Sequence, residues 1–474
     1  MGLKDLFKKH KKEESNEGLT KGYDIPFSHG IMVDKEKNEV LKHQLFASVV
    51  MMNNGVDICA EACSACWDTK LPNGYEERCK YIGKRAKTGH TSILEHSNLV
   101  LYMNVPIAHT MDLLEIFGAS DFIHSQSHFS EDKEVIYVLI GGSWRAYSDL
   151  FKKVKNDDNV VLSAIRKCVY SYIPRDAMRD LIDLGILEEE QFDLCNTRVL
   201  GDYYKKVSHY DIDDDLNINN MDDINKLTEY LSLACPEPDK FKIHELLPFC
   251  TITVQFKHMS RIITQQLTRH RNAITQESQR YVDYSKAGFN SPAKFKDKYS
   301  DTDQYYFTFG GTGFKMTLQE LGDNIISIYN QLTDPSINKV ILQKEDARAF
   351  LPGNTQCGSI YITFTWKFFF MFLKLREDKG AQAEIRSYAK RLGDYFRSTY
   401  PEYSDTVEAT KPLSVIDDQS IWSKHIGVTA PAEETKSFEE IVEVMEEHVK
   451  NFDESKLDPI EEEPGTTKLK PGEM

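Results

Sequence analysis

Residues 251–281 read TITVQFKHMSRIITQQLTRHRNAITQESQRY, and they contain the clearest strand and helix patterns of the chain. Its first six residues alternate polar and apolar side chains, which predicts a half-buried β-strand over 251–256. Apolar Ile262, Ile263 and Leu267 then predict a helix over 261–269. The stretch therefore predicts a strand that leads directly into a helix with a basic C-terminal end.

The same stretch concentrates positive charge in an acidic protein. Arg269, His270, Arg271 and Arg280 place three arginines and a histidine within twelve residues of a chain whose net charge is −16. Guanidinium groups donate paired hydrogen bonds in one plane, which suits phosphate oxygens and pyrimidine edges. Gln266 lies three residues before Arg269 and shares its helix face. These residues predict a site for a nucleotide; the alternative is a solvated basic helix end favoured by the helix dipole.

Two more segments carry chemistry in a recognisable order. Gly89-His90-Thr91-Ser92-Ile93-Leu94-Glu95-His96 leads into a predicted strand over 98–105. Glu345-Asp346-Ala347-Arg348-Ala349-Phe350-Leu351-Pro352 precedes an apolar run, then Leu375-Arg376 and Ala381-Gln382-Ala383-Glu384-Ile385-Arg386. Together with the arginine stretch, these segments resemble the flavin-dependent thymidylate synthases, the ThyX family. The family pattern is Arg-His-Arg, seven residues, then Ser and an Arg-Tyr pair, and the resemblance covers roughly residues 45–106 and 248–400.

The resemblance implies a set of site residues. The catalytic position is Arg376, which would stabilise negative charge on the pyrimidine ring. The positions implied for dUMP are Gln266, Arg269, Gln276, Glu277, Ser278, Gln279, Arg280, Arg348 and Arg376. The positions implied for FAD are His96, Asn98, Arg269, His270, Arg271, Gln276, Thr365, Lys367 and Met371. For His96, a histidine hydrogen-bonded within a helix–strand corner remains the alternative.

The chain departs from the family pattern at two places. Six residues, not seven, separate Arg271 from Ser278, so Gln276 and Glu277 compete for one position that touches flavin and nucleotide. Thr365-Trp366-Lys367 stands where the family often has Asn-x-Arg, and Met371 where Asn or His is usual. Lysine keeps the charge but loses the planar fork of arginine. The flavin contacts on that side are therefore expected to differ.

The resemblance also implies the reaction. It is the reductive methylation of dUMP to dTMP, with 5,10-methylenetetrahydrofolate as one-carbon donor and NADPH-reduced FAD as hydride source. Two alternatives stay open: hydroxymethylation at the same pyrimidine carbon, and a non-catalytic nucleotide-binding homologue. The resemblance further implies a homotetramer whose sites are shared between protomers.

Composition limits the class of protein. The net charge of −16 argues against general nucleic-acid binding, so small-molecule substrates are expected. No apolar run reaches the ~18–20 residues that span a bilayer, which predicts no membrane segment. The first twelve residues lack the apolar core of a secretory signal, and the nine cysteines show no pairing pattern. A cytoplasmic protein is expected.

Two motifs invite a metal interpretation. Cys59, Cys63 and Cys66 have the spacing of radical S-adenosylmethionine enzymes. Residues 56–67 contain neither Gly nor Pro, however, and helical spacing places the three thiols on one buried stripe, so we predict no metal there. Residues 211–222 place acids as an EF-hand does, but Leu216 replaces the required Gly and Asp222 the Glu, which predicts an acidic loop.

The predicted architecture is an α+β fold with an antiparallel-rich central sheet and long flanking helices. The predicted parts are a charged tail (1–25), a first core part (26–106), an α/β insertion (107–247), a second core part with the nucleotide and flavin motifs (248–402), and a partly disordered acidic tail (403–474). In the insertion we expect a strand over 135–140, a turn at Gly141-Gly142 and helices near 144–155 and 158–172. Long helices are expected near 316–333, 366–376 and 380–398. No internal repeat of fixed period is evident.

Overall fold

The computed structural model describes residues 43–119, 122–154, 158–192, 210–270 and 272–401. Three sequence predictions lie outside the described residues: the charged tail at 1–25, the acidic tail at 403–474 and the contact predicted for Arg271.

The strands fall into two large antiparallel sheets and one separate hairpin. In chain order they are β1 Phe46–Met52, β2 Leu99–Pro106, β3 His124–Phe129, β4 Val135–Gly142, β5 Tyr210–Asp213, β6 Leu216–Met221, β7 Thr251–Lys257, β8 Ala273–Gln276, β9 Gln304–Phe309, β10 Thr312–Thr317 and β11 Ser359–Thr365. The first sheet has the order β1-β2-β4-β3, the second β5-β6-β7-β11-β8, and β9 pairs with β10 alone. Every pairing is antiparallel.

Helices flank both sheets. They are α1 Gly55–Trp67, α2 Tyr75–Lys87, α3 Thr110–Ala119, α4 Trp144–Lys153, α5 Val160–Tyr172, α6 Arg179–Asp183, α7 Ile224–Ala234, α8 Ile243–Leu246, α9 Arg261–Leu267, α10 Leu318–Thr333, α11 Lys344–Ala347, α12 Trp366–Arg376 and α13 Ala383–Thr399. The α+β class and the long helices expected near 316–333, 366–376 and 380–398 are therefore confirmed. Within the described segments, no helix is both long and apolar enough to cross a bilayer.

Two apolar cores hold these layers together. One covers the first sheet on the side of α1 to α5. The other joins the opposite face of that sheet to α7, and continues over the apolar face of the second sheet to α12 and α13. Burial of apolar area on this scale is the main stabilising term of such a fold. The second core also fixes α9, α12 and α13, the helices that carry the candidate site.

Residues 107–247, predicted as an insertion, contribute to both sheets. They supply β3 and β4 to the first sheet and β5 and β6 to the second, where β6 pairs with β7. The helices expected near 144–155 and 158–172 are present as α4 and α5. The segment is thus an integral part of both large sheets.

Several local predictions were wrong. Gly141 and Gly142 are the last residues of β4, not a turn, because their backbones pair with Val100 and Leu99 of β2. The predicted acidic loop at 211–222 is mainly the hairpin β5–β6, whose Leu216 is fully buried. Strand β7 was expected to be half-buried, but its position between β6 and β11 buries both faces along most of its length. The sequence analysis also missed β1, an uninterrupted buried strand.

Candidate active site

A buried carboxylate fixes the start of α9, the helix that leads to the arginine motif. Glu384 accepts hydrogen bonds from the backbone N–H and the hydroxyl of Ser260, at 2.8 and 2.7 Å, and from Nδ2 of Asn290 at 2.9 Å. Ser260 is the N-cap of α9, and Glu384 lies in the first turn of α13. Negative charge is favoured at both helix N-termini. The carboxylate therefore aligns α9 with α13.

The C-terminal end of α9 meets the ends of two other helices. Gln266 donates a hydrogen bond to Gln382, the N-cap of α13. One helical turn farther on, Nε of Arg376 at the end of α12 donates to Nε2 of His270 at 3.0 Å. The structure thus brings together four predicted site residues, Gln266, Arg269, His270 and Arg376, at the meeting point of three helices.

The contact with Arg376 fixes the tautomer of His270. Arginine only donates hydrogen bonds, so Nε2 of His270 is the unprotonated nitrogen and Nδ1 carries the proton. Burial, and then the positive charge of Arg376, lower the pKa of His270 to about 4. The ring also packs edge-on against Phe372, with centroids 5.3 Å apart. His270 is therefore neutral near pH 7 and holds Arg376 in place.

Among the described residues, no hydrogen bond uses the terminal guanidinium nitrogens of Arg376. Only its Nε is used by His270, and the side chain is half-buried. Burial, and then the nearby charge of Arg269, lower the pKa of Arg376. Among the described residues, no carboxylate pairs with Arg269, Arg348 or Arg376, whereas Arg391 and Arg397 do form ion pairs. Two guanidinium groups this close favour an anion beside them.

A second group of predicted residues lies around α11. Arg280 Nε forms a 2.6 Å ion pair with Glu345, and its guanidinium lies 5.6 Å from the centre of the Tyr281 ring. Arg280, Tyr281, Gln343, Lys344 and Glu345 line a cavity of about 240 Å³. Arg348 is exposed in the 3₁₀ turn that follows α11. No hydrogen bond or ion pair between described residues links this group to the end of α9.

The structure separates the roles of Gln276 and Glu277. The Glu277 carboxylate accepts the backbone N–H of Gly358 at 3.2 Å, and a side chain at position 358 would collide with it. The Glu277 carboxylate is thus hydrogen-bonded within the protein. Side chains alternate along β8, and Thr275 faces His96, so Gln276 lies on the opposite face, where it is half-buried. Gln276 is the better candidate for a ligand contact.

Ser278 and Gln279 lie at the start of the second group. The backbone N–H of Ser278 donates to the carbonyl of Cys66 at 3.0 Å, which anchors the motif to α1. Its hydroxyl accepts the backbone N–H of Arg280 at 3.3 Å. Gln279 is buried. The motif therefore presents Arg280 outward from a fixed turn.

The side chains of His96 and Asn98 both form hydrogen bonds with other residues of the protein. His96 is fully buried, with Nδ1 2.9 Å from Oγ1 of Thr363 and Nε2 2.8 Å from Oγ1 of Thr275. Burial lowers the pKa of His96 to about 3, so the ring is neutral. Asn98 donates to Asp222 and to the carbonyl of Phe249, at 2.9 and 2.8 Å. The geometry matches the alternative interpretation of His96, a histidine whose two ring nitrogens are hydrogen-bonded within a helix–strand corner.

The remaining flavin positions lie on α12. Thr365 is the N-cap of α12, and its hydroxyl accepts the backbone N–H of Phe368 at 3.3 Å. Lys367 is half-buried and Met371 is buried one turn farther along the same helix face. The first turn of α12 therefore offers one cation beside an apolar surface.

The cysteine helix is confirmed as α1. Cys59 and Cys63 are buried and Cys66 is half-buried. Burial raises the pKa of all three thiols, that of Cys66 to about 11, so they are neutral at pH 7. Among the described residues, the group with a geometry that could hold a cation is the exposed trio His43, Asp132 and Glu134, which includes no cysteine.

Sequence analysis missed two residues that build the site. Gln382 pairs with Gln266, and Glu384 fixes α9. Both lie in the Ala-Gln-Ala-Glu block of residues 381–384, whose likeness to the family was the available signal. Their spacing within one helix turn gave no hint that both side chains reach α9.

Comparison with known proteins supports the assignment made from the motifs. Residues 238–402 match the family model described as thymidylate synthase complementing protein. Two crystal structures of ThyX from Helicobacter pylori with FAD and dUMP are similar at 17% identity; they cover 38% and 36% of this chain and 83% and 76% of theirs, with TM-scores of 0.26 and 0.24. TM-scores this low carry no argument of their own, and no curated protein sequence matches. The match to the thymidylate synthase complementing protein model is confined to residues 238–402, the part of the chain that contains the Arg269–Arg271 and Arg376 motifs.

Proposed function

We propose that this protein is a flavin-dependent thymidylate synthase that methylates dUMP to dTMP. The observation that carries the proposal is that the motif arginines Arg269, Arg348 and Arg376 form no ion pair with a carboxylate among the described residues, in a chain of net charge −16. A dianionic phosphate and a pyrimidine edge are ligands for which such guanidinium groups are suited. The family match over 238–402 supports the same substrate.

Arg376 is proposed as the catalytic residue. His270 holds its Nε, which leaves two terminal nitrogens to donate in parallel to the uracil edge. A donor pair fixed before the reaction stabilises negative charge that develops on the ring, and this makes C5 more nucleophilic. Arg269 and Arg348 are proposed to bind the phosphate, with Gln266 and Gln276 against the base and sugar.

Four of the residues implied for FAD have the polarity and burial that suit a planar, anionic cofactor. His270, Gln276 and Lys367 are half-buried polar side chains, and Met371 adds apolar surface. We propose that they hold FAD, with Thr365 acting mainly as the cap of α12. When bound, FAD reduced by NADPH would supply the hydride that, with the methylene carbon of 5,10-methylenetetrahydrofolate, completes the methyl group at C5 as the C5 proton leaves. His96 and Asn98 would shape the wall behind the site rather than touch the cofactor.

The two arginine groups are proposed to complete one site between protomers. In support, no described hydrogen bond or ion pair joins the end of α9 to the group around α11. A homotetramer, as the resemblance implies, remains a prediction. Mixing inactive Arg376→Ala and Arg348→Ala proteins tests the sharing, because hybrid assemblies would regain intact sites. Activity that stays at zero after subunit exchange would rule out sharing.

A combined spectrum and product analysis tests the function itself. The purified protein should show a flavin absorbance band that shifts on addition of dUMP. Incubation with dUMP, NADPH and labelled methylenetetrahydrofolate should yield labelled dTMP. Labelled hydroxymethyl-dUMP would instead favour the hydroxymethylase alternative, and dUMP binding without flavin or product would favour the non-catalytic homologue.

A further inference from the structure

The two large sheets have the same topology. In the first sheet the strands β1, β2, β3 and β4 lie in the order first, second, fourth, third. In the second sheet β6, β7, β8 and β11 lie in that same order, with β5 added at the edge. All neighbours in both sheets are antiparallel. One arrangement of four strands therefore occurs twice in the chain.

The helices repeat with the strands. Helices α1 and α7 follow the first strand of each set, and α3 and α9 begin at the fourth residue after the second strand. Helices α4 and α12 follow the fourth strand. Each is capped by a hydroxyl and begins with a buried tryptophan: Ser143 accepts from Ala146 N–H before Trp144, and Thr365 accepts from Phe368 N–H before Trp366. Helices α5 and α13 then complete each set.

A four-atom hydrogen-bond pattern also occurs twice. Asn53 follows β1; its N–H donates to the carbonyl of Asn98 at 3.1 Å, and its Oδ1 accepts the N–H of Asn98 at 2.8 Å. Asp222 follows β6; its N–H donates to the carbonyl of Thr251 at 2.8 Å, and its Oδ2 accepts the N–H of Thr251 at 2.8 Å. In both cases the partner stands at the start of the second strand. The equivalence thus holds for individual residues.

The two sets exchange contacts reciprocally. His96, two residues before Asn98, reaches across to Thr363 on β11 of the second sheet at 2.9 Å. Phe249, two residues before Thr251, reaches across to Gly141 on β4 of the first sheet. A methyl group on Gly141 would lie 2.7 Å from Cδ1 of Phe249, so glycine makes room for the ring.

The two receiving residues are equivalent as well. Thr363 lies two residues before the cap Thr365, and Gly141 lies two residues before the cap Ser143. Each set therefore contacts the other through equivalent positions. Such reciprocal contacts are the property of two units related by a two-fold axis.

We infer that residues 46–172 and 216–399 are two diverged copies of one unit, fused in one chain and paired about an approximate two-fold axis. We call them the N-terminal and C-terminal copies. The N-terminal copy is the built-in partner of the C-terminal copy, whose polar sheet face it covers with α1 and with His96. In return, α7 of the C-terminal copy covers an apolar face of the first sheet.

The arginines proposed to bind the ligand, Arg269 and Arg376, have no arginine at the equivalent positions of the N-terminal copy. Counting from the first residues of α9 and α3, the positions of Arg269 and His270 correspond to Gly118 and Ala119. Counting from the two tryptophans, the position of Arg376 corresponds to Val154, which is buried. The chain therefore has one nucleotide site per two copies. This last step rests on the proposed function, whereas the pairing of the copies does not.

The inferred duplication agrees with the sequence, in which no repeat of fixed period is evident. Strands β3 and β4 are joined by residues 130–134, whereas residues 277–358 separate β8 from β11 and include β9, β10, α10 and α11. Because the distance along the chain between equivalent residues changes from element to element, a repeat of fixed period does not exist.

Hydrogen exchange on the full chain tests the pairing. His96→Gln, in the N-terminal copy, should speed amide exchange roughly tenfold in β8 and β11 of the C-terminal copy, because local opening follows lost contacts. Phe249→Leu, in the C-terminal copy, should do the same in β3 and β4. Ser92→Ala, an exposed residue beside His96, is the control and should change neither sheet. If His96→Gln does not fold, Phe249→Leu decides the pairing from the other copy, because its expected effect also falls on the sheet that is not substituted. Faster exchange confined to the substituted copy would overturn the pairing.

Ligand stoichiometry tests the loss of the second site. Titration calorimetry should give one dUMP per chain, and Arg269→Ala with Arg376→Ala should abolish it. Two equivalents per chain, or one remaining in the double variant, would overturn the single-site inference. If no dUMP binds to the unaltered protein, the proposed function fails, and the exchange experiment still decides whether the copies are paired.

Discussion

Nε of Arg376 donates to Nε2 of His270 at 3.0 Å, across 106 residues of sequence. The contact joins the end of α12 to the turn after α9 and makes a neutral histidine the support of Arg376, the arginine proposed to be catalytic. Since burial and Arg376 together lower the pKa of His270 to about 4, the histidine stays an acceptor at pH 7. His270 of the basic motif therefore fixes the direction of the Arg376 guanidinium group.

Replacing Arg376 by lysine should separate binding from catalysis. The charge and much of the dUMP affinity should remain, while turnover should fall by roughly 10²-fold or more because two parallel donors are lost. Stopped-flow traces should show near-normal flavin reduction by NADPH and slow methyl transfer. Arg397→Lys, a change at the half-buried ion pair with Glu377, is the matched control and should leave turnover unchanged. Slow flavin reduction with normal methyl transfer would show that Arg376 serves the flavin.

Arg348→Ala should weaken dUMP binding by about 2–4 kcal/mol, since it removes a charge-assisted contact to phosphate. Arg280 differs because it is already paired with Glu345 at 2.6 Å. Glu345→Gln should free Arg280 and tighten dUMP binding by less than about 1 kcal/mol, the scale of an exposed ion pair. Calorimetric titration measures both effects. Unchanged affinity in Arg348→Ala and Arg280→Ala would contradict the nucleotide assignment.

Acidification should destabilise the fold through its two neutral histidines. Folding lowers the pKa from 6.5 to about 3 for His96 and to about 4 for His270, so the unfolded chain binds more protons as pH falls below 6.5. The free energy of unfolding should therefore drop from about pH 6.5 to pH 4, by up to ~1.4 kcal/mol per pH unit for each histidine. Urea denaturation at pH 7, 6 and 5 measures the slope. His96→Gln should have a shallower slope; an identical one would show that His96 does not contribute.

Glu384→Gln should destabilise the protein by about 2–4 kcal/mol. The carboxylate accepts three hydrogen bonds in a buried position, and an amide would turn its own N–H groups toward donors. Glu320, in the exposed capping box of α10, is the control, and its change to Gln should cost less than about 1 kcal/mol. Urea midpoints give both values. Equal, small losses would mean that Glu384 does not fix α9.

Replacing Cys59, Cys63 and Cys66 together by alanine should leave thymidylate formation largely intact. The two buried thiols should cost some stability through lost packing, on the order of 1–2 kcal/mol each. Activity and metal content of the triple variant measure the outcome. Iron or zinc present at one equivalent in the unaltered protein, and lost together with activity, would favour the cluster interpretation.

Local patterns predicted a good part of this molecule. The helix containing the three cysteines, the long amphipathic helices and the strand before α9 follow from apolar periodicity, because that pattern depends on neighbours in sequence. The assignment of Gly141 and Gly142 failed because their preference for turns was outweighed by pairing with β2, a strand about forty residues away. The sequence does not distinguish Gln276 from Glu277, because the hydrogen bond from the backbone N–H of Gly358 to the Glu277 carboxylate joins residues 81 positions apart.

The sequence carries the motifs from which the resemblance and the proposed ligand are inferred. Arg269, Arg348 and Arg376 are chemical signals that need no neighbours to be recognised, since guanidinium groups in an acidic chain indicate an anion. Three features are visible only in the folded chain: His270 orients Arg376, His96 lies between two threonines, and one arrangement of four strands occurs twice. The reason is physical: each of these facts is a contact between residues far apart in the chain, and the residue types allow such contacts without specifying them.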